Sequence, residues 1–393
     1  MRPYMVIFSL EPGALFFSGG RGIITTGCGG GAARDGGSGP VTQAKNGIRM
    51  RIDRISPPYA MAGGLVCIDG EGFMSAAGGG ARPSAWFGER PALIVSASST
   101  RLVVHVPAHP AGAALTLRRG TRAGLTAPYP VASLWVADLH PVSSPALGPD
   151  GSFYTTFSGM RGQKVPQPLY RVTPDGTAEA LAAEIVNPTG LAFDRQGRLY
   201  VSSRHSGTVY RLVEGLPPER FAGDLGVPTG LAFDADDNLY VGDRGGVIYR
   251  VTPRRQVDEF AHLEPSVSAY HMAFGPEGHL YVAGPTISTR DTLYRVDPSG
   301  TVSLFFKGLS RPQGVAFDDR GVLYLGASYR GRSGVFALNR DGAISHFLAG
   351  PVPVGLAFDR QGHLAIADPQ SLHRVFVDRR GAVSRKDEGG LKG

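Results

Sequence analysis

The sequence is poor in cysteine, tryptophan and lysine, and it has no long apolar run. Its two cysteines, Cys28 and Cys67, are too few for a disulfide framework or a cysteine-based metal cluster. No stretch approaches the ~18 apolar residues that a membrane-spanning helix needs. The nucleophile elbow, the phosphate-binding loop, zinc-ligand spacings and the dinucleotide fingerprint are all missing. The run "GGGAARDGG" is low complexity and not a phosphate cradle. The formal net charge is +7, yet the basic residues are almost all arginine and are scattered. Without a basic stripe interleaved with aromatics, this charge does not indicate nucleic acid.

Glycine and proline are abundant instead, at 56 and 30 of 393 residues. That balance excludes a helical protein and suits short strands joined by tight turns. A hydrophobic content of 42% is enough for real cores, and the length fits two or three domains.

Residues 1–49 differ from the rest. An apolar start is interrupted by Glu11 and Pro12, which spoils it as a secretion signal. "ITTGC" ends at Cys28 like a lipoprotein cleavage site, with Thr25 where a leucine-like residue is usual. The glycine-rich stretch that follows is expected to be disordered. Met50 opens a natural domain start, "MRIDRISPPYAMAGGLVCIDGEGF". The expectation is a low-complexity extension over 1–49 with translation beginning near Met50. The chain is then cytoplasmic, whereas a lipidated Cys28 would place it at the cell envelope.

From 50 to 132 the chain shows short apolar runs with turn signals every ~8–12 residues, the pattern of a β-sandwich. "ISPPYAMAGG", "VCIDGEGF", "AWFG" and "STRLVVHVP" resemble the IPT/TIG family of immunoglobulin-like domains. The resemblance implies a spacer or protein-contact module without catalysis, with Phe73, Trp86 and Phe87 in its core.

"PTGLAFDRQGRLYV" at 188–201 returns as "PTGLAFDADDNLYV" at 228–241. Looser copies start at Ser268, Arg311 and Val352, and a degenerate one at Val142. Aligned on Leu147, Phe193, Phe233, Phe274, Phe317 and Phe358, the copies are 40–46 residues apart. Such a period, with several strands per unit, marks a β-propeller. "GLAF" reads as an inner strand, "DRQG" as a turn, "RLYV" as the second strand, "TVYRL" as the third and "ERFAG" as the fourth. Fold class is therefore all-β: an immunoglobulin-like sandwich, then a six-bladed propeller over about 136–386, then a tail at 387–393. Ring closure falls either to Leu134–Leu139 or to a last strand near Ala382–Arg385. The repeated Tyr-Arg pairs, such as Tyr210-Arg211, read as structural.

The repeats resemble NHL-repeat and senescence-marker-protein/gluconolactonase propellers. That resemblance implies a lactonase with a calcium-like divalent cation over the channel, held by Glu, Asp or Asn side chains. The matching slots here hold Ser143, Thr189, Thr229, Tyr270, Gln313 and Val354, and none is acidic. Hard cations need oxygen ligands that normally include carboxylates, so no cofactor is expected unless the lactonase reading holds. Streptogramin-lyase propellers, also similar, pair a channel His with a Glu on the next strand. His271 has the matching place, but "HLYVAGP" carries no such Glu.

In an antiparallel blade, the loop leading into strand one and the loop joining strands two and three share a face. The first loops carry the slot residues and His271. The second carry Arg161, Arg204 with His205, Asp243 with Arg244, Arg290, Arg330 and Arg332, and Asp368 in the last repeat. Tyr270-His271 replaces the Thr-Gly of other copies, a local conflict of the kind that marks functional places. The candidate binding residues are Ser143, Thr189, Arg204, His205, Thr229, Asp243, Arg244, Tyr270, His271 and Gln313. They suit a small anionic or sugar-like ligand or a protein partner. The expected function is recognition, and the alternative is a gluconolactonase-like hydrolase lacking the usual metal-ligand carboxylates.

Overall fold

The computed structural model describes residues 41–42, 50–74, 81–110, 112–120, 124–288 and 290–377, and every regular element among them is a β-strand. The start site near Met50, Cys28, a closing strand at Ala382–Arg385 and the tail at 387–393 concern residues outside this set, apart from Met50 itself. Within 1–49 only Val41–Thr42 is described, and it is a short strand paired with Arg51 and Ile52.

In the first region, Arg51–Ser56, Leu65–Glu71 and Arg101–His105 lie side by side, as do Pro83–Phe87, Ala114–Arg119 and Leu125–Pro128. Arg90–Ala97 belongs to both groups: Arg90–Ala92 pairs with Pro83–Phe87, and Leu93–Ala97 with Arg101–His105. The sandwich is thus one eight-stranded sheet folded over its own core. Strand alternation supplies that core. Val66 and Ile68 point inward and meet Phe73, Phe87, Leu102, Val104, Leu115 and Leu117. Gly70, on the same face, must be glycine, because a Cβ there would sit 1.9 Å from the Arg51 carbonyl oxygen. Trp86 departs from the expected core placement. It is half-buried, with the Arg118 guanidinium 5.0 Å above its ring.

In the repeats, the Asp after "AF" makes the turn. One oxygen of Asp194 accepts from the amides of Gln196 and Arg198, and Asp234, Asp318 and Asp359 do the same two and four residues on. A short carboxylate that replaces backbone partners in this way is why Asp leads such turns. The Tyr of each second strand then meets the Phe of the next repeat edge-to-face. Tyr154–Phe193, Tyr200–Phe233, Tyr240–Phe274, Tyr281–Phe317 and Tyr324–Phe358 all have ring centroids 4.9–5.2 Å apart, a favoured aromatic geometry. Gly190 and Ala192 face the following repeat, while Leu191 and Phe193 face the preceding one. The arginines of the Tyr-Arg pairs reach acids on the fourth strand: Arg171 to Glu179, Arg211 to Glu219 and Arg250 to Asp258.

The innermost strands circle an axis. Ala146–Leu147, Pro188–Phe193, Pro228–Phe233, His271–Phe274, the second half of Val302–Phe317 and Gly355–Phe358 each touch the next, and the last touches the first. Six separate blades are not what the sheets show. There are four separate four-stranded sheets, and the fourth and fifth repeats share one eight-stranded sheet. The cause is the strand Val302–Phe317. Its first half pairs with Asp291–Val296 and its second with Leu323–Tyr329, so hydrogen bonding runs through from one repeat to the other. Closure uses the earlier of the two candidate segments, with Ser133–Val136 pairing against Leu372–Phe376.

The two regions are joined by more than the connecting chain. Tyr59–Ala60 adds a parallel strand to Ile344–Ala349, and Tyr59 packs on Phe347 at 4.7 Å. Ala349 enters the sandwich core, and the amide of Met61 donates to its carbonyl at 2.8 Å.

Candidate functional site

Strand register brings the two expected sets of loops together. Pro188 lies opposite Ser203, and the amide of Arg204 donates to the Asn187 carbonyl at 3.2 Å. In the next repeat Pro228 lies opposite Asp243, and the Arg244 amide donates to Val227 at 3.1 Å. In these two repeats the start of the inner strand therefore sits beside the loop that carries an arginine.

The hydroxyl slots are occupied by the fold's own bonds. Ser143 Oγ donates to the Thr189 carbonyl at 2.5 Å, and Thr156 Oγ1 donates to the same oxygen at 3.1 Å. Ser202 Oγ donates to the Thr229 carbonyl and accepts from the Gly190 amide. Thr229 Oγ1 donates to the Gly242 carbonyl at 3.0 Å and accepts from the Tyr270 amide at 3.1 Å. These bonds stitch the first four inner strands together, and all of these slot side chains are buried. Thr189 Oγ1 is the least committed, with one long contact of 3.5 Å to Asn187.

The fourth repeat differs. Tyr270 is buried, its hydroxyl donates to the Glu264 carbonyl, and burial pushes its phenol well above the usual range. Its ring stands against Gly284 and Gly242, where a Cβ would come within 2.7 and 3.3 Å of ring carbons. His271 follows at the start of its strand, with 6% of its surface exposed. Burial lowers its pKa to about 4, which keeps the imidazole neutral near pH 7, and its ring makes no hydrogen bond among the described residues. Gln313 is buried in the equivalent slot of the fifth repeat, opposite Gly326.

The rim is cationic over the first three repeats. Arg204 Nη2 donates to the Gly159 carbonyl at 3.0 Å, whereas its Nε is buried without a partner. Burial first, then the charges of Arg244 and Arg161, lower the pKa of Arg204. His205 is exposed beside Gly162. Arg244 reaches the Val267 carbonyl at 3.0 Å. Asp243 forms no ion pair with these arginines; its two oxygens accept from the amides of Val227 at 2.6 Å and Gly245 at 3.0 Å. Arg290 and Arg330 are exposed on later repeats, with Arg330 over the Tyr329 ring. Arg332 lies close enough to His346 to disfavour its protonation. Asp368 binds His373 at 2.7 Å.

Asn187 organises the rim and gave no signal in the sequence beyond preceding a proline. It is fully buried at φ 49°. Its Nδ2 donates to the carbonyls of Gly159 and Met160, and its Oδ1 accepts from Gly162 at 2.6 Å. The loop that carries Arg161 is thereby fixed against Arg204.

A divalent cation does not fit the inner slots. The set offers hydroxyls already bonded to backbone, a neutral imidazole, an amide and the apolar Val354. No group of three His, Cys, Asp or Glu side chains suitable for a metal ion is found among the described residues. At the opposite end of the inner strands, a cavity of about 390 Å³ is lined by Leu147, Phe317, Phe358 and Val377 with a charged edge that includes Asp319 and Arg360.

A sandwich with this core followed by a propeller of repeated sheets defines a two-region, all-β architecture. Residues 50–129 match the IPT/TIG domain family, so the first region is a TIG domain. No curated protein matches the chain by sequence. Among solved structures the chain is similar to a gluconolactonase of Xanthomonas campestris important in glucose secondary metabolic pathways. That match has 20% identity and a TM-score of 0.51, and covers 62% of this chain and 89% of that one. It is also similar to a candidate gluconolactonase from structural genomics, at 17% identity and TM-score 0.52, covering 65% and 94%. An auxiliary nutrient binding protein of Bacteroides thetaiotaomicron aligns over 82% of this chain and 96% of its own at 12% identity and TM-score 0.48. The two gluconolactonase matches show a shared β-propeller fold, which by itself does not carry an activity. No helix of the described residues is long and apolar enough to cross a membrane.

Proposed function

We propose that the chain is a recognition protein whose propeller binds an anionic or carbohydrate-like ligand at the face where the inner strands begin. The observation that carries this reading is the uncompensated cationic rim: Arg204 between Arg161 and Arg244, with no carboxylate partner among the described residues. His205 and the neutral His271 add donors and acceptors nearby, and Gln313 adds an amide. A protein partner at the same face is the other form of this proposal. Counting the shared eight-stranded sheet as two blades gives six, which supports grouping the repeats with NHL and senescence-marker-protein/gluconolactonase propellers. The division into 50–132 and 136–386 belongs to the same reading.

Hydrolysis of a sugar lactone is the weaker reading, because the slots lack the carboxylates that a cation would need. The test is titration with sugar acids and phosphorylated sugars, comparing wild type with His271→Ala and Arg204→Ala, alongside lactone hydrolysis with and without a chelator. Binding weakened by either substitution supports recognition. Equal binding by all three proteins, or hydrolysis abolished by the chelator, overturns it.

A further inference from the structure

The cationic rim is a built arrangement and not a chance crowd of surface arginines. The loop Arg204–Gly207 is held between two neighbours. On one side Arg204 Nη2 grips the Gly159 carbonyl, and His205 Cε1 would lie 3.6 Å from a Cβ on Gly162. On the other side the Leu225 amide donates to the Gly207 carbonyl at 3.0 Å, two residues before the Val227 carbonyl that receives the Arg244 amide. Three consecutive repeats thus bring one arginine each to one corner. Asn187 and Arg204 both donate to the Gly159 carbonyl, so the Arg161 loop is fixed from two directions. Arg161 makes no hydrogen bond or ion pair among the described residues. Arg244 bonds only to main-chain carbonyls, and Arg204 leaves its buried Nε–H without an acceptor.

Several other arginines of the propeller behave differently. Arg171, Arg198, Arg211, Arg250, Arg255 and Arg320 each have a carboxylate partner. Arg204 lies within reach of the charges of both Arg161 and Arg244, and none of the three has a carboxylate partner, an arrangement that repels itself unless an anion enters.

We propose that Arg161, Arg204 and Arg244 form an oxyanion subsite for a phosphate monoester dianion, set over the first three repeats and away from the channel axis. The assignment deepens the recognition reading given above and rests on it. Guanidinium donors match the oxygens of a tetrahedral anion by paired N–H contacts. Three cations favour a doubly charged group over a carboxylate. Asn187 is a positioning residue for the Arg161 loop and does not touch the ligand.

The probe is inorganic phosphate, titrated calorimetrically into the full chain at low ionic strength, with acetate as the singly charged comparison. Wild type is expected to bind phosphate saturably and at least tenfold more tightly than acetate, with affinity falling as salt rises. Arg161→Gln, Arg204→Gln and Arg244→Gln should each weaken phosphate at least tenfold. Arg161→Gln cannot fail through a lost internal bond, so it keeps the test decisive if Arg204→Gln unfolds. Arg204→Lys should recover part of the affinity by restoring charge without the fork. Arg118→Gln, the same charge change on the sandwich, should leave binding unchanged. No phosphate binding by wild type, undiminished binding in Arg161→Gln and Arg204→Gln, or acetate binding as tightly as phosphate each overturns the subsite. Phosphate and a non-sugar phosphate monoester held at this corner, with no response to any sugar acid, would remove the carbohydrate-like form of the recognition reading and leave the subsite standing. A sugar acid bound through His271 with phosphate ignored would do the reverse.

Discussion

Replacing Thr229 by Val should separate a structural brace from a ligand slot. The substitution keeps shape and removes one hydroxyl. Thr229 is 1% exposed, and its Oγ1 serves both the Gly242 carbonyl at 3.0 Å and the Tyr270 amide at 3.1 Å. Without it the buried Tyr270 N–H has no acceptor and the Gly242 oxygen loses one of its donors. Leaving a buried donor unmade costs about 1–3 kcal/mol and the lost second bond about 1 kcal/mol, so Thr229→Val should destabilise by about 2–4 kcal/mol. Thr189→Val removes a single 3.5 Å contact and should cost less than about 1 kcal/mol, since such a bond is long and weak. Urea unfolding followed by circular dichroism measures both, and the melting point of the Thr229 variant should fall by about 3–6 °C. Phosphate binding should survive in both variants at temperatures where they are folded. Equal stability of Thr229→Val and wild type would refute the brace reading, above all if ligand or cation binding were lost instead.

Three further outcomes are expected. His271 has a pKa of about 4 when folded against about 6.5 unfolded, so the unfolded state takes up more protons between these values. Stability attributable to His271 is therefore full above pH 6.5 and declines as pH falls toward 4, by at most about 3 kcal/mol. His271→Gln should flatten the melting-temperature profile over that window. His346, also lowered to about 4, is common to both proteins and cancels, and parallel profiles would show that His271 titrates normally. Gly64→Ala would bring a Cβ within 2.4 Å of the Ala349 carbonyl oxygen. It should loosen the sandwich from the fifth repeat, seen as a second calorimetric transition and faster proteolysis near residues 130–133. An unchanged single transition would count against a rigid junction. Tyr324 is fully buried between Phe347 and Phe358. Tyr324→Ala should cost about 3–5 kcal/mol, and Tyr324→Phe less than about 1 kcal/mol because the bond from its hydroxyl to Asp318 is long. Similar losses for the two would mean that the hydroxyl, and not the ring, holds the seam.

Much of the fold was legible because it is local and repeated. The Asp-to-Gly turns, the alternation in "LYV" and the Phe of "AFD" each act within a few residues of themselves or at one fixed repeat distance, so the six copies display them repeatedly, with variations. The TIG pattern was readable for the same reason, through short strands with turn signals between them. Trp86 was misplaced because an aromatic in a strand does not announce which face it takes, and here Arg118 covers it from outside. The continuity of Val302–Phe317 was equally hidden. A new copy of the phrase starts at Arg311, yet Arg311 at φ 51° and Gly314 at φ 58° carry one strand through its bend.

The chain's order of residues was sufficient for an all-β architecture, for the repeat length and for the sandwich in front. It also placed Arg161, Arg204 and Arg244 on equivalent loops. Which of the slot hydroxyls are free, and which arginines lack a counter-charge, depends on partners dozens of residues away. Ser143 meets Thr189, Thr229 meets Tyr270, and Asn187 pins the loop of Arg161. Those pairings exist only once neighbouring repeats pack side by side. Burial and hydrogen bonding across its seams then turn the slots into braces and leave three unpaired guanidiniums at the rim.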